Sequence, residues 1–258
     1  MSLPAKQTTS IAMSTPDDVF VRGKSLCREL IGKVTFTEMT YFAVTGRAPT
    51  NAQVAVLDAC LVTLMEHGLT PSAIATRMVY SSAPDAMQAA VAAGIMGVGS
   101  VFVGTVEGAA ALVARIVGSA DGIQAEARRV AEEHLSARRP IPGFGHPLHR
   151  PDDPRPPCIF RVAESVGLAG KHIEALRALS SAIDGTYAKH ITINATGSIG
   201  AALMDAGIPP RIMRGFAILA RCAGLVAHVH EEQEKPAMRA IWDAAERAVT
   251  YDGKADRR

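Results

Sequence analysis

Between Ile141 and Arg155 the chain reads Ile-Pro-Gly-Phe-Gly-His-Pro-Leu-His-Arg-Pro-Asp-Asp-Pro-Arg. Glycine has no Cβ, so Gly143 and Gly145 let backbone amides approach a bulky ligand closely. His146 can donate or move a proton near neutral pH, and Arg155 can grip a carboxylate with two parallel hydrogen bonds. Taken bare, a Gly-x-Gly-His loop is also what an ordinary glycine turn with a solvated histidine looks like. The residues around it carry the rest of the argument.

The surrounding chain reads as helix nearly throughout, rich in alanine and with little strand alternation. Thr35-Phe-Thr-Glu38 fits a capping box, with Val34 and Met39 spaced for a hydrophobic staple; the helix it starts should stop at Gly46, before Pro49. Thr50-Asn-Ala-Gln53 offers a second box, and Thr70-Pro71 an N-cap followed by proline at the first helical position. Ala120 to Arg139 reads as a solvated amphipathic helix. Pro209 to His228 is apolar nearly all round except for arginines, as a central helix buried on most sides would be. Asp184 to Asn194 is the one region of β character, through Ile191-Thr-Ile193. Ala89 to Val106 carries no charge and is long enough to span a bilayer, but it is built of Gly, Ala and Val and reads as a buried core helix; no membrane is expected.

A length of 258 residues can bury a large core as one large domain or two smaller ones. With 27 basic and 25 acidic residues the chain has no electrostatic footprint for nucleic acid. Its four cysteines (Cys27, Cys60, Cys158 and Cys222) form no CxxC or zinc pattern and suit buried free thiols in a reducing cytoplasm. Residues 1–16 are polar, lack the apolar core of a signal peptide, and are expected to form a frayed arm. A composition break near residue 104 and the stop at Gly207-Ile-Pro-Pro210 suggest a small domain over 105–204, inserted in a large helical domain made of 17–104 and 205–258.

Residues 142–155 closely resemble the signature loop of the citrate synthase superfamily, most of all that of the short citryl-CoA lyases and of the citrate-synthase-like module of ATP-citrate lyase. The resemblance extends from about Gly32 to Trp242, with residues 32–50 like the family's opening helices. It implies an all-α fold, a large helical domain interrupted by a smaller one, with the active site in the cleft and two subunits pairing as a homodimer. It also implies that Ile141, Pro142, Gly143, Phe144 and Gly145 wrap the adenine of a coenzyme A thioester. By the same likeness His146 bonds the oxygen of a four-carbon unit and Arg155 binds a carboxylate of a di- or tricarboxylate.

Further positions follow from the resemblance one at a time. His67, in Glu66-His67-Gly68-Leu69-Thr70, matches a histidine that binds the four-carbon acid; a histidine interacting with a helix C-terminus is the alternative. Arg221 matches a second carboxylate-binding arginine; an arginine inside an apolar helix needs an anionic partner, substrate or structural. Arg239 is a loosely spaced third, reaching a neighbouring subunit. Phe102 stands where the synthases carry a histidine for the acetyl-CoA enol, as it does in ATP-citrate lyase's module. Thr196, in Asn194-Ala-Thr-Gly197, stands where the family has the aspartate that moves the acetyl proton. A hydroxyl is no base at neutral pH, and losing such a group costs about 10²–10⁴-fold, with Glu107 as the candidate carboxylate to substitute. His149 is given a loop-shaping role, His190 is expected near the cleft with no further role, and His228-Val-His230 is not read as a metal site because i,i+2 side chains diverge on a helix.

The expected activity is a citryl-CoA lyase type retro-Claisen cleavage of a 3-hydroxy-3-carboxyacyl-CoA to acetyl-CoA and an oxoacid, using no metal or redox cofactor. The alternatives are the same fold acting on another hydroxyacyl-CoA, or a catalytically silent binder of CoA esters and polycarboxylates.

Overall fold

The computed structural model describes residues 7–99, 101 and 103–253. It begins with a three-stranded antiparallel ribbon, β1 (Ala12–Ser14), β2 (Val19–Val21) and β3 (Lys24–Ser25), in the order β1-β2-β3. Met13 pairs with Phe20, and Phe20 with Ser25. Arg22 and Gly23 both have positive φ, 49° and 82°, the conformation a two-residue hairpin turn requires. Arg22 then donates from Nε and Nη2 to Ala43 O at 3.0 and 2.8 Å, tying the ribbon to the first helix. The expected frayed arm is therefore corrected over 12–14, where backbone pairing orders it; residues 1–6 lie outside the described residues.

Eleven α-helices follow among the described residues: α1 (Phe36–Thr45), α2 (Asn51–Met65), α3 (Pro71–Ser82), α4 (Met87–Met96), α5 (Thr105–Val117), α6 (Ile123–Ser136), α7 (Arg155–Ser165), α8 (Lys171–Tyr187), α9 (Ala195–Asp205), α10 (Met213–Glu234) and α11 (Met238–Ala248). The local signals operate as expected. Thr35 and Glu38 form a reciprocal capping box and Gly46 ends α1 in the left-handed conformation. Thr50 N donates to Gln53 Oε1 at 2.9 Å while Gln53 N donates to Thr50 Oγ1 at 3.2 Å. Thr70 caps α3 with Pro71 at its start.

Contacts divide the chain into two compact units, one running through Cys60 and resuming over Ala109–Pro210, the other Leu61–Gly108 with residues from Arg211 on. In the first, α8 packs on α6 and α9, and α9 also on α7. Leu176, Leu179 and Ile183 bury one face of α8, while Ile199 and Leu203 do so for α9. Asp205, at the end of α9, accepts the N–H groups of Gly170, His172 and Ile173 at the N-terminus of α8, where a carboxylate is favoured. Tyr41 Oη and Gln53 Nε2 both donate to Ala206 O, at 3.3 and 2.9 Å. Those bonds show why 17–60 groups with 109–210, a division that differs from the large domain of 17–104 and 205–258 expected from the sequence.

In the second unit α3 packs against α4 and α10. The expected single helix over Ala89–Val106 is corrected: α4 ends at Met96 and α5 starts at Thr105, because the glycines between them favour a turn. By length and composition Pro210–Glu234 could cross a membrane, with half of the window buried. Its buried stripe nevertheless carries Arg221, His228 and Glu232, as suits a helix packed within protein. Val226 on its other face is exposed, so α10 is buried along one stripe and not on most sides. The β character expected around Ile191–Ile193 reduces to a single bridge between Ile193 and Phe144. Of the four cysteines, Cys60 alone is buried, and burial pushes its thiol up to about 12; Cys27 and Cys158 are exposed.

Candidate active site

The glycine loop is zipped onto the segment that starts α9. Asn194 N donates to Gly143 O at 2.9 Å, Gly145 N to Thr192 O at 2.8 Å, and Asn194 Nδ2 to Gly145 O at 2.9 Å. The Asn194 side chain also caps α9, accepting from Gly197 N. A Cβ on Gly143, whose φ is +89°, would lie 2.8 Å from Gly197 Cα, and one on Gly197 would collide with Gly143 O. The two glycines are thus required by a backbone-on-backbone contact. Of the expected adenine-wrapping residues, Ile141 and Gly143 are buried, and Pro142, Phe144 and Gly145 are partly exposed.

His146 follows directly. Its Nδ1 accepts from the backbone N–H groups of Leu148 and His149, at 3.2 and 3.0 Å, and its ring stacks on His149 with centroids 4.3 Å apart. A nitrogen that accepts from N–H groups carries no proton, so the ring's proton sits on Nε2. The loop backbone thereby fixes the tautomer and orientation of the His146 ring.

Arg155 opens α7 and is held by a residue that sequence reasoning missed. Asp153 is 1% exposed. Its carboxylate accepts from Arg155 N (3.0 Å), Nε (2.9 Å) and Nη2 (2.6 Å), and from Ala195 N (3.2 Å). Burial pushes the Asp153 carboxyl upward, but the Arg155 side chain and backbone outweigh it and hold it below the ordinary carboxylate value. The Nε–Nη2 edge of Arg155 is therefore taken by Asp153. The signal in the sequence was an aspartate just ahead of a helix start, the position that accepts backbone N–H groups.

Thr196 sits in the first turn of α9 and its hydroxyl donates to Asn194 Oδ1 at 2.8 Å. Position and bonding fit a helix-start residue. His190 bridges two carboxylates, Asp184 Oδ2 at 2.7 Å and, within the glycine loop segment, Asp152 Oδ1 at 2.9 Å. The bonds to Asp184 and Asp152 raise its pKa above the ordinary 6.5. The sign follows: this tether contributes fully below the unfolded value near 6.5 and is lost as pH rises through the higher folded value. An NMR titration of the His190 ring should show a midpoint above 6.5 that moves down in Asp152→Asn; a midpoint indifferent to that change would contradict the tether.

In the second unit the turn Glu66–Thr70 joins α2 to α3. Glu66 Oε1 accepts from His67 N and Gly68 N, both at 2.7 Å, and His67 is exposed two residues past the end of α2. Arg221, on α10, is 7% exposed. Its Nη1 lies 3.5 Å from Thr70 Oγ1 and 3.9 Å from Glu66 Oε1, distances too long to satisfy a buried cation. Burial lowers its pKa from the ordinary guanidinium value, with Glu66 pulling the other way. Among the described residues Arg221 is thus a buried cation with no carboxylate oxygen nearer than 3.9 Å.

The remaining expectations divide. Arg239 is exposed on α11, paired with Asp243 Oδ1 at 3.0 Å and stacked over Trp242, and no described contact brings it to Arg221 or His67. Glu107, the candidate substitute carboxylate, is ion-paired to Arg214 Nη2 at 2.6 Å and so already engaged. Phe102 lies outside the described residues. His228 is buried and His230 exposed, diverging as i,i+2 residues on a helix do.

Comparison with known proteins identifies the family and the fold. The family described as citrate synthase, C-terminal domain matches residues 32–242. The 2-methylcitrate synthase of Shewanella oneidensis is 28% identical over 191 residues, 73% of this chain and 49% of its own. The chain thus spans about half the length of the curated relatives it matches. Among solved structures, citryl-CoA lyase from Hydrogenobacter thermophilus superposes with a TM-score of 0.87 at 30% identity, covering 98% of this chain and 96% of that one. ATP citrate lyase from Methanothrix soehngenii, in complex with citrate and coenzyme A, gives 0.78 at 16% identity over 99% of this chain and 43% of its own, a likeness of fold.

Proposed function

The chain belongs to the citrate synthase family, and from that premise we propose that it is a carbon–carbon lyase of the citryl-CoA lyase type. Its substrate is a 3-hydroxy-3-carboxyacyl-CoA. The observation that carries the reading is Arg221, a buried guanidinium whose nearest described carboxylate oxygen is 3.9 Å away. A tricarboxylate-derived substrate supplies the missing anion.

In this reading the loop 141–145 takes the CoA portion, and Arg221, His67 and the Nη1 edge of Arg155 take the acid. The hydroxyl proton passes to water, the alkoxide collapses to a ketone, and the bond to the acetyl carbon breaks. Its electron pair passes into the thioester enolate, which takes a proton at carbon to give acetyl-CoA. The Nε2–H of His146 donates to the oxygen on the carbon that is cleaved, where negative charge develops. Thr196 cannot supply the final proton as an acid with a carboxyl's strength, so water delivers it, at a cost of the order of the 10²–10⁴-fold such groups contribute.

The test is release of oxaloacetate from citryl-CoA, read through a coupled dehydrogenase. The native protein is expected to turn over slowly, His146→Ala to lose activity, and Thr196→Asp to gain at least about tenfold. A silent native protein with tight CoA-ester binding would favour the second reading, a binder of CoA esters and polycarboxylates. The Thr196 hydroxyl, already committed to Asn194 Oδ1, is the observation on that side.

A further inference from the structure

We propose that Arg77, His228 and Glu66 form a positioning relay that holds the His67 turn and keeps Glu66 from neutralising Arg221. The proposal rests on the reading of Arg221 and His67 as acid-binding residues.

The chain of contacts begins at Arg77 on α3, 2% exposed. Its Nη1 donates to Glu232 Oε2 at 2.7 Å, its Nη2 pairs with Glu231, and its Nε donates to His228 Nδ1 at 3.0 Å. Glu232 is anchored in turn by the N–H groups of Ala237 and Met238, at 2.8 and 2.9 Å. An arginine Nε–H can only donate. His228 Nδ1 therefore has no proton, and the ring carries its single proton on Nε2. That buried atom lies 3.0 Å from Glu66 Oε2, a charge contact whose angle falls short of a hydrogen bond. The other carboxylate oxygen, Oε1, accepts the N–H groups of His67 and Gly68.

Arg77 and His228 are 151 residues apart, yet the result is local: one oxygen of Glu66 lies within ion-pair distance of His228 Nε2 and the other is bonded to the backbone of the His67 turn. Partial burial pushes the Glu66 carboxyl up, and the contacts from His67, His228 and Gly68 more than reverse it. Gly224 completes the device. A Cβ there would run into Met65 O and come within 3.0 Å of Glu66 Oε2, so α10 must present bare backbone for Glu66 to reach its place.

The consequence concerns Arg221. Glu66 Oε1 is its nearest described carboxylate oxygen, at 3.9 Å, and is therefore the substrate's natural rival. Without the His228 ring against Oε2, Glu66 is free to swing onto the guanidinium, and an incoming carboxylate must displace it. Loss of the ring should then weaken substrate binding much more than it slows the bound complex.

The experiment compares native protein, His228→Leu and His228→Gln on citryl-CoA, with amide hydrogen exchange at His67 and Gly68 followed in the same proteins without substrate. Glutamine retains an amide N–H for Glu66 and a carbonyl oxygen for Arg77; leucine has neither. His228→Leu is expected to raise KM about 10- to 100-fold with kcat changed less than threefold on the order expected of uniform binding loss, and to expose both amides to exchange. His228→Gln is expected to restore both readouts. Unchanged KM, or unchanged exchange, in His228→Leu overturns the relay. Should the native protein not act on citryl-CoA, the functional reading fails by itself and exchange alone decides the relay. Should the leucine variant not fold, ring ¹⁵N shifts of His228 in native protein decide it: a proton on Nδ1 overturns the proposal and a proton on Nε2 alone supports it.

Discussion

Arg221→Met is expected to lower kcat/KM on citryl-CoA by about 10²–10³-fold, equivalent to roughly 3–4 kcal/mol, and yet to leave the fold as stable or more so. Both halves have one cause. The guanidinium is 7% exposed and has lost most of its water, while its nearest described partners stand at 3.5 and 3.9 Å. A buried ion without a close partner costs stability, and a hydrophobic replacement of similar volume is neutral or gains about 1–4 kcal/mol. Methionine follows much of the arginine stem and can fill the same space. Urea unfolding of the two proteins, run beside the coupled assay, checks the pair of outcomes. A variant that unfolds more easily and also loses activity would make Arg221 a structural ion, and the functional reading would lose its main support.

The second large effect is expected at the glycine loop. Gly143→Ala places a side chain on a residue with φ of +89°, 2.8 Å from Gly197 Cα and 2.9 Å from Ala109 Cβ. The left-handed backbone costs an alanine about 1–2 kcal/mol and the crowding a further ~1–3 kcal/mol. Relief requires the loop to lift from the start of α9, which stretches the Asn194 N to Gly143 O bond and moves His146 with it. A shift of about 1 Å in a group that must meet a reacting oxygen costs on the order of 10²-fold in rate. Gly145→Ala is the control. Its φ of +80° carries the same backbone strain, but its Cβ would meet only Ile191 Cγ2, at an ordinary 3.8 Å. Stability loss in Gly143→Ala should thus exceed that in Gly145→Ala by about 1–3 kcal/mol in urea unfolding. Equal losses would mean that the loop-to-helix contact is not the constraint.

Thr196 shows how a local substitution and a global fold can separate. Everything that seats the loop is present: the Asn194 cap, the Gly143–Gly197 contact and the buried Asp153. The position two residues after Asn194 nevertheless ends in a hydroxyl bonded to its own helix cap. Chemistry at that point is set by one side chain, and the fold around it is indifferent to which one it is.

The chain's own text determined whatever is settled within a few residues. The capping boxes at Thr35 and Thr50, the proline start after Thr70 and the stop at Gly46 are exchanges between groups one helical turn apart, so their spacing is visible in a linear string. The glycine loop was legible for the same reason, because glycine spacing, histidine and arginine occur in one short tract. Tertiary structure alone decided what those residues face. Asp153 became the holder of Arg155 and of Ala195 N only when α7 and α9 came together. His228 looked like half of a poor metal pair until α3 carried Arg77 against it from 151 residues away. The ribbon at 12–25 likewise depends on backbone pairing, which side-chain pattern scarcely records over strands of two or three residues. The physical division is between hydrogen bonds whose partners the chain itself holds close and those whose partners only helix packing delivers.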